Sequence, residues 1–345
     1  MSTHRDDARS GGESESAVIL RDVYRQPDAP DPVLDAPTVL GLARRHSPGA
    51  REVLKVDETG GEARVYLVAT DGPDLVVKAQ RPHRRRVRTS LEKEAHFLRH
   101  LAALPGKRLP VPNVLGHGHA EAASVGGATL RIEYTVMTRI SGDAVQRVGI
   151  EGQSRRAALA DLGAVLRQIH QAPQEALIES GLFPGDRAPD DLALRLEAPA
   201  LDAAKKLDGT ARVRLLPEAP GPLVRRAIRG LPEDAPPVAL HANPGPMHAF
   251  VDPTTGEFTG LIDFGDAYLS HPALDLRRWD RHEDRAAVLE GYCRAGPVDA
   301  TFLHLWRIAC VLADLSSLAN LPADAPTSEA DRRVATITSL LEALN

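Results

Sequence analysis

The stretch from Pro237 to Trp279 constrains this chain more than any other. Val238-Ala239-Leu240 leads into a polar loop, His241-Ala242-Asn243-Pro244-Gly245-Pro246-Met247-His248, and Ala249 to Asp252 follows as a short apolar run. Pro253-Thr254-Thr255-Gly256-Glu257 supplies the fixed φ, hydroxyls and glycine that a tight reversal needs, and Phe258 to Ile262 climbs back. The pattern predicts a loop, a short β-hairpin and then an acid, Asp263 of Asp263-Phe264-Gly265, at the end of a buried strand. A carboxylate there can meet a metal-bound phosphate; an acid at a strand end can equally do no more than cap the next turn. The hairpin has the length that sets the His241 loop beside the triplet, and His271-Pro272-Ala273-Leu274-Asp275-Leu276 comes soon after.

Upstream, the pattern is that of strands. Val53 to Val56, Val65 to Val68 and Leu75 to Lys78 alternate around turns at Gly60-Gly61 and Asp71-Gly72-Pro73, which predicts three antiparallel strands. Two adjacent glycines also suit an ordinary hairpin turn, and a lysine closing a strand is commonly solvated. Ser90 to Leu101 carries Leu91, Ala95, Leu98 and Leu101 at helical spacing, with Glu94 near that face and Glu92 as the alternative partner for Lys78. The run Arg81, His83, Arg84, Arg85, Arg86, Arg88 reads as a solvated basic face or, alternatively, as a site for an anionic acceptor or partner, and is too short to imply nucleic acid. Leu109 to Leu115 and Leu130 to Met137 predict further strands of the same sheet, and the chain after Thr138 reads as mostly helical. The spacing predicts helices over 155–170, 190–206, 223–231, 286–293 and 301–321, and an earlier one from a Thr38 cap to His46. His170 reads as a packing residue.

Length and composition bound the class. With 345 residues there is room for two lobes, and two cysteines, Cys293 and Cys310, are too few for a disulfide framework or a thiolate metal site. A net charge of -5 argues against a dedicated nucleic-acid binder. No run of about 18 apolar residues is seen and the start lacks an apolar leader, so a cytoplasmic protein without a membrane partner is expected. Residues 1–16 read as a disordered tail, 17–137 as an N-terminal lobe and 138–345 as a C-terminal lobe; Val18 to Leu20 and Val23-Tyr24 suit a short docked segment.

The ordered series of loop, hairpin, Ile262-Asp263-Phe264 and Pro272-Ala273-Leu274-Asp275-Leu276 resembles the aminoglycoside phosphotransferase and choline kinase family, whose loop reads His-x-Asp-x-x-x-x-Asn. The resemblance implies an α+β, two-lobed protein-kinase-like fold: an antiparallel sheet with one helix in the N-lobe and a mainly helical C-lobe. It implies binding of ATP or GTP with magnesium or manganese, and transfer of phosphate to a hydroxyl on a small molecule. Carried over residue by residue, Gly60 and Gly61 form the turn over the phosphates, Lys78 contacts them and Glu94 pairs with Lys78. Met137 opens the segment that meets the adenine edge, and Asp263 holds metal. The loop departs from the family where the chemistry lies, since Asn243 stands at the catalytic aspartate and His248 at the metal-binding asparagine.

Three readings follow. The first is a kinase with a rewired loop, in which His241, Asn243 and Asp266 serve the reaction and His248 joins Asp263 at the metal. The second is a pseudokinase that holds nucleotide or ligand without turnover. The third is a transition-metal site of His241, His248 and Asp263 with His271. Because Arg277, Arg278, Arg281 and Arg285 interleave with Asp280, Glu283, Asp284 and Glu290, the single-signed acidic surface expected for a polycationic aminoglycoside is absent.

Overall fold

Asp35 and Pro37 begin the first helix, α1 (Ala36–Arg44): the Asp35 carboxylate accepts from the Thr38 amide at 2.8 Å, and proline sits where a missing N–H costs nothing. The cap is therefore Asp35 and not Thr38, whose own N–H is the one being capped. This computed structural model describes residues 31–344 apart from 85–89, 107, 124–128, 187, 189 and 233–235. The tail at 1–16 and the segment with Val18 to Tyr24 lie outside the described residues.

β1 (Ala50–Asp57), β2 (Ala63–Thr70) and β3 (Leu75–Gln80) follow as an antiparallel meander, and after α2 (Leu91–Ala102) come β4 (Val114–Ala123) and β5 (Thr129–Thr138). The sheet order is β1-β2-β3-β5-β4. Alternation in β2 and β3 puts Tyr66, Val68, Val77 and Ala79 on the face that packs with Val39 and Leu42 of α1. Lys78 therefore points to the other face. Residues 109–113 do not join the sheet, because Pro110 and Pro112 have no N–H for a ladder; instead the Pro110 carbonyl accepts from Leu261 of the C-terminal part at 2.9 Å.

Beyond Thr138 a small β6 (Asp143–Ala144) and α3 (Val145–Val148) precede the long α4 (Gly152–Gln171), then α5 (Glu175–Glu179), α6 (Asp191–Leu207) and α7 (Pro220–Arg229). β7 (Val238–Leu240) ends at the polar loop, β8 (Ala249–Val251) and β9 (Phe258–Leu261) form the hairpin, and β10 (Tyr268–Ser270) returns to pair with β7. α8 (His282–Arg294), α9 (Ala300–Asn320) and α10 (Thr327–Glu342) complete the chain. The fold is α+β, with an antiparallel N-terminal sheet and a mainly helical C-terminal part. Gly163 of α4 and Gly291 of α8 let these two helices touch backbone to backbone, since a Cβ on either would collide with the other helix.

α9 is long and apolar enough, by length and composition, to cross a membrane, which the search for an unbroken apolar run did not anticipate. In the fold 61% of its most apolar window is buried, with Leu305, Ile308, Leu312 and Leu315 in the main core.

Candidate functional site

The hairpin turn is built as its residues suggest: the Asp252 carboxylate accepts from Thr254 and Thr255 amides at 2.7 and 2.9 Å, and Gly256 takes the positive φ of 73°. β9 then delivers Asp263, itself in the left-handed region at φ 71°, into a 3₁₀ turn from Phe264 to Asp266. The turn sends Asp263 into a cleft of about 700 Å³ between sheet and helical part. Asp266 is not among the residues lining that cleft, so a catalytic role for it loses its geometric basis.

Lys78 Nζ lies 3.0 and 2.8 Å from the two Glu94 oxygens and 2.7 Å from Asp263 Oδ1. Helix α2 starts at a Ser90 cap and presents Glu94 inward with no exposed surface, whereas Glu92 stays on the outer side. Glu94 Oε1 also accepts from the Phe264 amide at 3.1 Å, while Lys93 Nζ donates to the Ala267 carbonyl at 2.6 Å. Phe97 meets Phe264 edge-on at 5.4 Å. Burial works against the Lys78 charge, yet Asp263 and Glu94 together raise its pKa. Burial likewise pushes Glu94 up, and Lys78 only partly offsets it; Asp263 resists its burial and is held well below the carboxylate range by Lys78 and His248.

The polar loop is held from several sides. Asp275 accepts from the His241 and Ala242 amides at 2.8 Å each, and from His170 Nε2 at 3.0 Å, which supports His170 as a packing residue that orients Asp275. Arg278 Nε donates to the Ala242 carbonyl at 2.7 Å. Between these clamps Ala242 adopts φ 75°, a conformation that costs a non-glycine residue about 1–3 kcal/mol and persists only when its surroundings enforce it.

His241 is fully buried; its Nε2 donates to Ile262 O at 2.9 Å and its Nδ1 accepts from Asn243 N at 3.2 Å. With both ring nitrogens spent inside the protein it positions the loop and cannot act in catalysis or bind a metal. His271 has its Nδ1 committed, accepting from Ala273 N at 3.1 Å, with its ring against Phe302. No group of three or more metal-binding side chains occurs among the described residues, so the transition-metal reading fails. What remains is a pair: His248 Nδ1 donates to Asn243 O at 2.8 Å, which leaves Nε2 3.3 Å from Asp263 Oδ2. One carboxylate and one imidazole converging on one point suit a divalent cation that draws its other ligands from phosphates and water.

Gly60, Gly61 and Met137 line the same cleft as Lys78, Asn243, His248 and Asp263. Neither glycine of the pair has positive φ. Arg81, expected on a solvated face, is instead buried and ties the glycine turn down through Gly60 O at 3.2 Å, with its Nε on Asp31 at 2.9 Å; Arg85 to Arg88 lie outside the described residues. In the linker after Met137 the amides of Thr138 and Arg139 already donate to Asn113 and Asp74 carbonyls at 3.0 and 3.1 Å. Sequence reading missed Arg278 and Lys93 as parts of this site. A pair of arginines directly after Asp275-Leu276 is a signal for the first; nothing distinguishes Lys93 from any helix-surface lysine.

Residues 53–305 match the model of the phosphotransferase enzyme family, APH. The chain belongs to that family. Its similarity to solved structures shows the fold at low identity. Macrolide 2'-phosphotransferase MphH from Brachybacterium faecium, an apoenzyme, matches at 20% identity and TM-score 0.55, over 87% of this chain and 97% of that one. The streptomycin–ATP ternary complex of APH(2'')-IIa matches at 16% identity and TM-score 0.52, over 90% and 97%. The GDP complex of aminoglycoside 2'-phosphotransferase-IIIa gives 16% and 0.52, over 90% and 98%. No curated protein sequence matches the chain. Within the phosphotransferase fold, the hairpin, the Asp263 turn and the lysine–glutamate pair stand as one connected unit.

The buried imidazoles make a prediction. Desolvation depresses His241 and His271 to about 4, from 6.5 in the open chain. Between those values the unfolded chain binds more protons than the folded one, so stability falls as pH falls from 6.5 towards 4. By pH 5 each histidine should have removed about 2 kcal/mol. Urea unfolding at pH 7.5 and pH 5 checks this, and His271→Leu should flatten the slope; equal pH slopes in wild type and variant would refute it.

Proposed function

We propose that the protein is a phosphotransferase that moves the γ-phosphoryl group of ATP or GTP to a hydroxyl on a small molecule. The observation that carries the reading is the junction of Lys78 with buried Glu94 and with Asp263 at the cleft, because phosphoryl transfer of this kind requires the strand lysine paired with the helix glutamate and the strand-end aspartate in place together. In this reading Lys78 meets the nucleotide phosphates, the turn at Gly60 and Gly61 covers them, and the linker from Met137 borders the base. Asp263, with His248 beside it, would hold magnesium or manganese. When bound, that ion neutralises charge on the transferring phosphoryl group. Asn243 accepts a hydrogen bond from the acceptor hydroxyl and orients its oxygen, but it cannot take the proton.

A second reading, nucleotide or ligand binding without turnover, is favoured by one observation: the Asn243 side chain has no hydrogen bond to any carboxylate among the described residues, so no acid is paired with it in place of the missing aspartate. Thermal shift with ATP or GTP and magnesium or manganese tests binding; phosphate release over a panel of hydroxylated small molecules tests turnover. A shift with turnover supports the first reading, a shift without turnover the second, and the absence of any shift would sink both.

A further inference from the structure

Four arginines follow Asp275 in close succession, and the structure separates them. Arg281 is bidentate on Glu151 at 2.7 and 2.9 Å, and Arg285 is bidentate on Asp314 at 2.6 and 2.9 Å. Arg277 and Arg278 have no carboxylate paired with them among the described residues. Arg278 uses Nε on the Ala242 carbonyl, the residue before Asn243, and borders the cleft beside Asn243. Both arginines also line a second cavity of about 290 Å³ between α6, α9 and the turn after Asp275, so Arg278 is the wall shared by the two spaces.

The rest of that cavity wall mixes apolar residues, Leu196, Pro199, Ala200, Leu312 and Ala313, with a few polar ones. Ser316 and Ser317 bring hydroxyls to it, and Trp279 and the Asp314-paired Arg285 also border it. Asp280 is the acid in the wall; its side chain is 75% exposed and lies 3.6 Å from Arg333. Burial and the neighbouring charge of Arg278 depress Arg277 to about 10, although Arg277 keeps part of its surface in solvent. A half-buried guanidinium with no carboxylate partner has donors to spare, and an anion arriving there gains charge-assisted hydrogen bonds.

We propose that this cavity receives the anionic end of the acceptor, a carboxylate or phosphate monoester, while the acceptor's hydroxyl reaches past Arg278 to Asn243. The inference rests on the phosphotransferase reading for the hydroxyl and on the cavity alone for the anion. A polycationic acceptor meets Arg277 and Arg278 with like charge and is rejected.

Calorimetric titration of the full-length protein, with and without ADP and magnesium, tests it with four matched probes: glycerate, glycerol 3-phosphate, neutral glycerol and the cationic 3-amino-1,2-propanediol. The two anions should bind roughly 10- to 100-fold more tightly than glycerol, the worth of hydrogen bonds to a charged group, and the better anion distinguishes carboxylate from phosphate. Arg277→Ala should lose that advantage while keeping the ADP-induced thermal shift, because Arg277 does not line the nucleotide cleft; Arg277→Lys should retain part of it. Glycerol or the amine binding as tightly as the anions, no probe binding at millimolar concentration, or unchanged anion affinity in a folded Arg277→Ala protein would each overturn the proposal. If Arg277→Ala does not fold, the wild-type panel and Arg277→Lys decide. Absence of the ADP shift in wild type would count against the nucleotide reading alone, since the titrations without ADP still read the cavity.

Discussion

Lys78→Ala should abolish the thermal shift produced by ATP with magnesium and should also lower the melting temperature of the protein without ligand. In wild type, nucleotide at a hundredfold excess over its dissociation constant stabilises by about 2.7 kcal/mol, which for a chain of this size is a shift of roughly 5 °C. Under the proposed function the alanine variant removes the cation that meets the phosphates. It also strands Glu94, which has no exposed surface and would keep only the Phe264 amide as a donor. Removing one partner of such a pair costs about 3–5 kcal/mol. The two effects separate in Lys78→Met combined with Glu94→Leu: an apolar pair of similar volume should recover much of the melting temperature and none of the nucleotide response. A Lys78→Ala protein that still responds to ATP would remove the basis for the nucleotide site.

The second large effect is a gain. Asn243→Asp together with His248→Asn restores the carboxylate and the amide of the family loop, and a positioned base is worth about 10²–10⁴-fold. Phosphotransfer to a hydroxylated acceptor should therefore rise by about 10²-fold or more. The scaffold is ready for the change, because Asp275 and Arg278 clamp the loop through backbone atoms of His241 and Ala242 and not through the side chains being replaced. His248→Asn gives up the Nδ1 hydrogen bond to Asn243 O, a neutral contact worth about 1 kcal/mol, far less than the expected gain. Loss of existing activity in the double variant would mean that the loop has been reassigned to other chemistry; background rates in both proteins would leave a binding protein.

Much of this was legible in the sequence. The strand that ends in Lys78, the helix that carries Glu94 and the hairpin that ends in Asp263 all have local signatures: alternation, helical spacing with a Ser90 cap, and turn residues. What local pattern cannot carry is the fate of each polar atom. His241 looks reactive until both its nitrogens are found on Ile262 O and Asn243 N. Asp266 looks close to Asp263 until a 3₁₀ turn takes it out of the cleft wall. Arg81 looks solvated until Asp31 and the Gly60 carbonyl claim it, and Arg281 and Arg285 differ from Arg277 only through Glu151 and Asp314, acids far away in the chain. Thr38 lost the capping role to Asp35 because proline in the first turn moved the start of the helix forward.

Glu94 serves two clients at once, the lysine of the sheet and the amide of Phe264, and its neighbours Lys93 and Phe97 fasten the same helix to Ala267 and the Phe264 ring. Rotating α2 outward would break all four contacts together, with hydration of the freed charges repaying part of the loss. Under the proposed function an arriving nucleotide therefore meets the lysine–glutamate pair already assembled. In that reading, control by displacing this helix would have to undo four contacts at once, and the supply of nucleotide and acceptor would set the output.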